Sequence, residues 1–134
     1  MNDDLRQPDE ADRVRERYAR RAVHDPRYSL LNPSALAALQ ERHRAMQRLF
    51  ADLGWLDLLD RRLVEVGCGS GGNLLDFLRF GFSPEHLAGI ELLADRFATA
   101  RRQLPGDVQL VQGDAVQALT AHAPADIVFQ ATVF

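Results

Sequence analysis

The chain has 134 residues, of which 46% are hydrophobic and 26% charged, so it is expected to form one soluble domain with its own core. The net charge of −3 gives no indication of a nucleic acid or an anionic membrane as partner, and all sixteen basic residues are arginine, which indicates a bacterial, high-GC coding sequence. One cysteine excludes an internal disulfide, no apolar run approaches the ~20 residues of a membrane helix, and the N-terminus does not read as a signal peptide, so a cytoplasmic location is expected.

Two helices are predicted before the first strand. The first covers about residues 9–23, and its arginines predict a solvated basic face, with an anion-contacting lid as the alternative. Asn32 and Pro33 are typical of an N-cap and a first helical residue, and Gly54 is a natural terminator for the second helix. Six residues at spacings of three and four predict a buried stripe along this helix: Leu36, Leu39, His43, Met46, Phe50 and Leu53.

Strands and helices alternate from residue 63 onwards. This alternation predicts an α/β fold, a Rossmann-like parallel sheet with right-handed crossovers and flanking helices. We expect residues 1–29 to be an N-terminal helical extension and residues 30–134 to be the ligand-binding domain. The predicted strands are 63–66, 86–91, 108–112 and 126–130, and the predicted helices between them are about 73–80, 93–104 and 115–122.

The turn after the first strand is rich in glycine. Gly67, Gly69 and Gly71 match G-x-G-x-G, while Gly67, Gly69 and Gly72 match G-x-G-x-x-G. Glycines let the backbone approach a ligand, and the helix that follows presents free N–H groups to it. The pattern alone leaves two adenine cofactors and a purely structural loop open.

Three acids lie near the predicted carboxyl ends of the strands. Glu65 precedes the first glycine by two positions, Glu91 ends the second strand, and Asp114 follows the third. A carboxylate at Glu91 is placed to accept hydrogen bonds from both ribose hydroxyls, and Asp114 from an exocyclic adenine amine. An acid at Glu65 repels a pyrophosphate and favours a cation, so an adenosine carrying a positive group is favoured over NAD.

The segments 65–71, 89–92, 112–115 and 126–130 resemble, in order and spacing, the successive motifs of class I S-adenosylmethionine-dependent methyltransferases. The resemblance covers about residues 30–134 and implies S-adenosyl-L-methionine as the cofactor. It implies in-line transfer of the sulfonium methyl group, for which the protein supplies orientation and desolvation. We assign no catalytic base and no metal site, and Cys68 is expected to be a small loop residue rather than a nucleophile.

The resemblance also implies a role for each residue that matches a motif. The methionine portion would be held by the Glu65 side chain and by the backbone of Gly67, Cys68, Gly69 and Gly71. Glu91 would bind the ribose and Leu92 would pack on the adenine. The remaining implied contacts are Asp114 with the Ala115 N–H at the adenine edge, and Gln130 near the sulfonium.

The family's sheet has more strands than the four predicted here, so the domain reads as truncated after the fourth strand. We favour a fragment; the alternatives are a cofactor-binding remnant, or an exposed fourth-strand edge covered by a partner chain or a second copy. The favoured function is a methyltransferase acting on a small-molecule acceptor. The alternatives are a non-catalytic S-adenosylmethionine-binding or assembly module and, with less support, an NAD-dependent oxidoreductase.

Overall fold

A computed structural model describes residues 9–19, 25–121 and 124–131. The chain divides into two compact units, which meet in sequence between Leu56 and Asp57. The second predicted helix therefore lies within the first unit. Compactness does not by itself define a domain, so the predicted domain boundary between residues 29 and 30 stays a prediction.

The first unit contains α1 (Glu10–Ala19), a short 3-10 helix (Pro26–Tyr28) and α2 (Pro33–Asp52). The Asp9 carboxylate accepts a hydrogen bond from the Ala11 N–H at 2.6 Å, which caps the start of α1. The predicted end of α1, near residue 23, lies outside the described residues.

The predicted ends of α2 are confirmed. The Asn32 side chain accepts a hydrogen bond from the Ser34 N–H at 3.0 Å, and Pro33 is the first helical residue. Gly54 follows the helix with a φ of 71°, the left-handed conformation that ends many helices.

The predicted burial of the α2 stripe is wrong at its two ends. Met46 and Phe50 are buried, but Leu36 and Leu53 are exposed. Hydrophobic periodicity identifies which face of a helix is apolar, but it does not tell how much of that face's length is covered. Phe50 also stacks on Trp55, with ring centroids 6.1 Å apart.

The second unit is a four-stranded, entirely parallel sheet with helices between successive strands. This confirms the predicted Rossmann-like α/β fold. The elements are β1 (Leu63–Val66), α3 (Gly72–Phe80), β2 (Leu87–Glu91), α4 (Ala94–Gln103), β3 (Gln109–Gln112), α5 (Ala115–Ala121) and β4 (Ile127–Gln130), with a 3-10 turn at Pro84–His86 before β2. The strand order is β3-β2-β1-β4.

The strand order reverses between β1 and β4, and this reversal positions the site. Strands are added outwards from β1 to β3, after which β4 pairs with the free side of β1. In register, Val66 lies opposite Ile90 on one side and Gln130 on the other. Open parallel sheets bind ligands outside the carboxyl ends of their strands, at such a switch point. The glycine loop after β1 lies at this point.

The core lies around the two inner strands. Every residue of β1 and β2 is buried, whereas β3 and β4 are at best half-buried. Phe77 of α3 makes edge-to-face contacts with Phe82 and with Phe129 of β4, at centroid distances of 5.7 and 5.1 Å. Cores of this kind hold the inner strands and the loop between them in one conformation.

Candidate cofactor-binding site

The glycine loop has a conformation that favours glycine at three positions. Gly67, Gly69 and Gly71 have φ values of 69°, 58° and 93°. Gly71 is also required for packing, because a Cβ atom there would lie 2.9 Å from Cδ1 of Leu104. Gly71 thus serves the contact between the loop and the end of α4, a role that the spacing of glycines did not indicate.

Backbone hydrogen bonds tie the loop to the end of β2. The N–H groups of Gly67 and Cys68 both donate to the carbonyl oxygen of Ile90, at 2.8 and 3.1 Å. The Gly71 N–H donates to the Cys68 carbonyl at 3.0 Å and closes the turn. The predicted cofactor contact of Cys68 therefore falls on an amide that Ile90 already engages.

Glu91 links the loop to the next helix. Its side chain is 7% exposed, Oε1 accepts from the Gly69 N–H at 3.0 Å, and Oε2 accepts from the Leu93 N–H at 3.0 Å. Both oxygens of this buried carboxylate are therefore hydrogen-bonded to the backbone. Since each carboxylate oxygen has two acceptor sites, Glu91 keeps the capacity to accept two hydroxyl groups.

Glu65 is the second buried acid, on the strand beneath the loop. It is 1% exposed, and its Oε1 accepts a hydrogen bond from Nδ2 of Asn73 at 2.8 Å. Asn73 lies in the first turn of α3 and was not among the predicted site residues. The sequence feature that could have indicated Asn73 is its position: an amide side chain in the first turn of the helix that follows the acid at Glu65 and the glycine loop.

Gly89 makes room for the site from the neighbouring strand. It lies opposite Glu65 in the parallel register. A Cβ atom at Gly89 would lie 2.8 Å from both Sγ of Cys68 and Cδ1 of Leu74. The side chains below the loop therefore fill the space that any larger residue at position 89 needs.

The pKa of the Cys68 thiol is shifted by its surroundings in the glycine loop. Burial raises the pKa of its thiol to about 12, with further contributions from the negative charges of Glu65 and Glu91. The thiol therefore stays protonated at neutral pH, which argues against a nucleophilic role.

The residues predicted to bind the adenine edge follow β3. The Gly113 N–H donates to the carbonyl of Glu91 at 2.9 Å, which joins this turn to the end of β2. Asp114 caps α5, because its Oδ1 accepts from the Val116 N–H at 2.8 Å. Ala115 is the first residue of α5. The fold thus brings Asp114 and Ala115 to the sheet edge that carries Glu91.

The remaining predicted residues lie at the same edge. Leu92 follows β2 and is half-buried, and Gln130 ends β4 as an exposed residue. One arginine that was not predicted is also close, because Nη1 of Arg96 lies 3.8 Å from the position of a Cβ on Gly69. All predicted site residues therefore lie at the carboxyl edge of the sheet, and their contacts with a cofactor stay predictions.

The described part of the chain has neither a cluster of metal ligands nor a membrane-spanning helix. Among residues 9–19, 25–121 and 124–131, no three His, Cys, Asp or Glu side chains are grouped as a metal site requires. None of the described helices combines the length and the apolar character needed to cross a membrane.

Comparison with known proteins identifies a family. The family described as "Methyltransferase domain" matches residues 64–134, which is more than half of the chain. The match begins in β1 and includes the glycine loop, Glu91, Asp114 and Gln130. No curated protein matches the chain.

Several solved structures are similar to parts of the chain. An S-adenosylmethionine-dependent methyltransferase from Mesorhizobium loti is 23% identical, over 55% of this chain and 34% of that chain, with a TM-score of 0.44. The sugar N-methyltransferase KedS8 from Streptoalloteichus is 27% identical, over 54% of this chain and 27% of that chain, with a TM-score of 0.42. CalS10, an amino pentose methyltransferase from Micromonospora echinaspora, is 26% identical, over 92% of this chain and 42% of that chain, with a TM-score of 0.42.

The chain spans about a quarter to two fifths of the length of these three proteins. The family match, the parallel sheet and the loop between its inner strands agree with the motifs from which the resemblance was inferred. The chain belongs to the methyltransferase domain family.

Proposed function

We propose that this chain binds S-adenosylmethionine at the carboxyl edge of β1 and β2 and takes part in methyl transfer to a small-molecule acceptor. The observation that carries the proposal is the pair of buried carboxylates, Glu65 and Glu91, on either side of one glycine loop. Buried acids are costly unless they are hydrogen-bonded or meet a cation. A ligand that brings a cation to Glu65 and hydroxyl groups to Glu91 would use both of these acids.

The charge of the loop fits S-adenosylmethionine better than a dinucleotide. Burial is the main cause of the raised pKa of the Cys68 thiol, and the negative charges of Glu65 and Glu91 raise it further, so both acids contribute a negative potential beneath the loop. A negative potential attracts the ammonium and sulfonium groups of S-adenosylmethionine and repels the pyrophosphate of NAD. The two carboxylates on the strands are therefore suited to the cofactor of the family.

The start of α3 supplies donors for an anionic group beside these acids. Gly71 is the N-cap residue of α3 and has no side chain to accept hydrogen bonds from the first-turn N–H groups. Such N–H groups and the helix dipole favour a carboxylate. We infer that the amino-acid portion of the cofactor binds between α3 and Glu65.

The nucleoside portion is assigned to the ends of β2 and β3. Glu91 retains acceptor sites for the two ribose hydroxyls, because each of its oxygens holds one backbone N–H. Leu92 is a half-buried apolar residue suited to an adenine face. Asp114 and Ala115 would bind the adenine edge, and Gln130 would lie toward the acceptor.

When bound, S-adenosylmethionine supplies the activated methyl group. The chain's own contribution is binding and orientation, and no residue is assigned as a catalytic base. A small-molecule acceptor is favoured over nucleic acid because the chain has a net charge of −3.

Calorimetric titration with S-adenosylhomocysteine and with NAD tests the proposed site. The wild type is expected to bind S-adenosylhomocysteine, and Glu91→Ala is expected to weaken that binding at least about tenfold, because hydrogen bonds to a charged carboxylate are lost. Asp107→Ala is the matched control, since it removes an exposed acid that precedes β3, at the opposite edge of the sheet. A chain that binds NAD but does not bind S-adenosylhomocysteine would contradict the proposal.

The catalytic part of the proposal has its own test. Incubation with S-adenosylmethionine and a panel of small amines, alcohols and carbon acids is expected to yield S-adenosylhomocysteine with at least one acceptor. Binding without turnover across the panel would favour the non-catalytic module instead.

A further inference from the structure

The Asn73 side chain bridges the start of α3 and the buried acid of β1. Its Nδ2 donates to Oε1 of Glu65 at 2.8 Å. Glu65 is 1% exposed, and Asn73 is half-buried in the helical turn that follows the glycine loop. The bond joins the element that carries the acid to the element that carries the loop's N–H donors.

The hydrogen-bond partner of Glu65 is a neutral amide, the side chain of Asn73. A glutamate side chain has three rotatable bonds, so a buried carboxylate needs a fixed donor to hold one orientation. An amide provides that donor and leaves the negative charge intact, because an amide is neutral. An arginine at the same position would orient the carboxylate as well, but it would also cancel the charge that a cationic ligand needs.

We propose that Asn73 is a positioning residue that orients the charged Glu65 carboxylate for the ammonium group of the bound cofactor. The inference rests on the proposed function, in which Glu65 binds the amino-acid portion. Asn73 acts through Glu65 and is not required to touch the cofactor. Its replacement is therefore expected to affect ligands that carry the amino-acid portion and to spare ligands that lack it.

Two ligands separate positioning from general support of the loop. S-adenosylhomocysteine carries the amino-acid portion, and 5′-methylthioadenosine carries the same nucleoside without it. By calorimetry, Asn73→Ala is expected to weaken S-adenosylhomocysteine binding about tenfold, as expected for a hydrogen bond to a charged group, and to change 5′-methylthioadenosine binding less than twofold. Asn73→Ser, whose side chain is one bond shorter, is expected to show the same selective loss if the alanine variant does not fold.

Gln103→Ala is the matched control, because it removes an exposed amide from the end of α4. Its affinities for S-adenosylhomocysteine and for 5′-methylthioadenosine are expected to equal those of the wild type. Equal losses for the two ligands in Asn73→Ala would overturn the inference, since they would indicate a distorted loop.

A double-mutant cycle tests whether Asn73 acts through Glu65. In the Glu65→Gln background, Asn73→Ala is expected to cause less than a twofold further loss of S-adenosylhomocysteine affinity. A full additional loss would show that Asn73 acts independently and would overturn the inference.

The outcomes also separate this inference from the proposed function. If the wild type fails to bind S-adenosylhomocysteine, both are wrong. If the wild type binds it and Glu91→Ala weakens it, while Asn73→Ala binds it normally, the proposed function stands and only the role of Asn73 is overturned.

Discussion

The polar residues of the two inner strands are buried, whereas those at the ends of the two outer strands are more exposed. Glu65 on β1 and Glu91 on β2 are buried. Glu65 accepts a hydrogen bond from the Asn73 side chain, and Glu91 accepts hydrogen bonds from two backbone N–H groups. Asp114 after β3 and Gln130 at the end of β4 are partly or fully exposed. Burial of a charge is tolerated only where donors are already in place, and the glycine loop, Leu93 and Asn73 supply them to Glu65 and Glu91.

The outer strands differ in packing as well. Val128 on β4 is 60% exposed, whereas Val64, opposite it on β1, is 4% exposed. An exposed strand edge with apolar residues invites pairing with another strand. The predicted partner chain or second copy over the β4 edge stays a prediction.

The largest expected effect concerns Cys68, beneath the loop. Because burial and the two acids raise the pKa of its thiol from 9.0 to about 12, its thiolate fraction at pH 8 is lower than that of the unfolded chain by roughly a thousandfold. Alkylation at pH 8 is expected to be slower in the native protein than in denaturant by at least this order. Equal rates would contradict the buried position of the thiol.

The same pKa shift gives a pH dependence of stability. The folded state binds the thiol proton more tightly, so this contribution is fully present below pH 9 and is lost as the pH rises from about 9 to 12. Denaturant titrations across this range are expected to show a falling free energy of unfolding. Cys68→Ala removes the cysteine contribution and serves as the control for other groups that titrate there.

Gly89→Ala is expected to give the next largest effect. Gly89 lies on an inner strand, and an added Cβ atom there would lie 2.8 Å from the buried side chains of Cys68 and Leu74. We therefore expect a loss of about 3 kcal/mol in the free energy of unfolding. Gly106→Ala is the control, because a Cβ atom there would meet nothing within 4 Å. Urea unfolding of both variants measures the difference, and equal stabilities would contradict the packing of the loop against β2.

A matched pair of valines gives the smallest effects and tests the contrast between strands directly. Val64→Ala is expected to cost about 2 kcal/mol, because it leaves a cavity in the core. Val128→Ala, opposite it in the register, is expected to change stability by less than about 0.5 kcal/mol, because the side chain is exposed. Similar losses would show that β4 is buried in solution.

The sequence predicted what depends on local spacing. Alternating strands and helices, the Asn32 cap, the Gly54 terminator and the glycine loop were all predicted within a residue or two, because each depends on neighbours along the chain. The parallel sheet then followed, and it brought Glu91 and Asp114 to one edge.

Contacts between elements were not predicted, because spacing along the chain carries little information about them. The hydrogen bond from Asn73 to Glu65 joins α3 to β1, and the close approach of Gly71 to Leu104 joins the loop to α4. The requirement for glycine at position 89 depends on Cys68 and Leu74, which lie in other elements. These roles became visible only once the sheet order and register were known.

A crystal structure of the chain with S-adenosylhomocysteine tests the central claim most directly. We expect the ribose hydroxyls to lie within hydrogen-bonding distance of the Glu91 carboxylate and the amino-acid portion to lie between Glu65 and the start of α3. S-adenosylhomocysteine bound away from the glycine loop, or a nucleoside that makes no contact with Glu91, would contradict it.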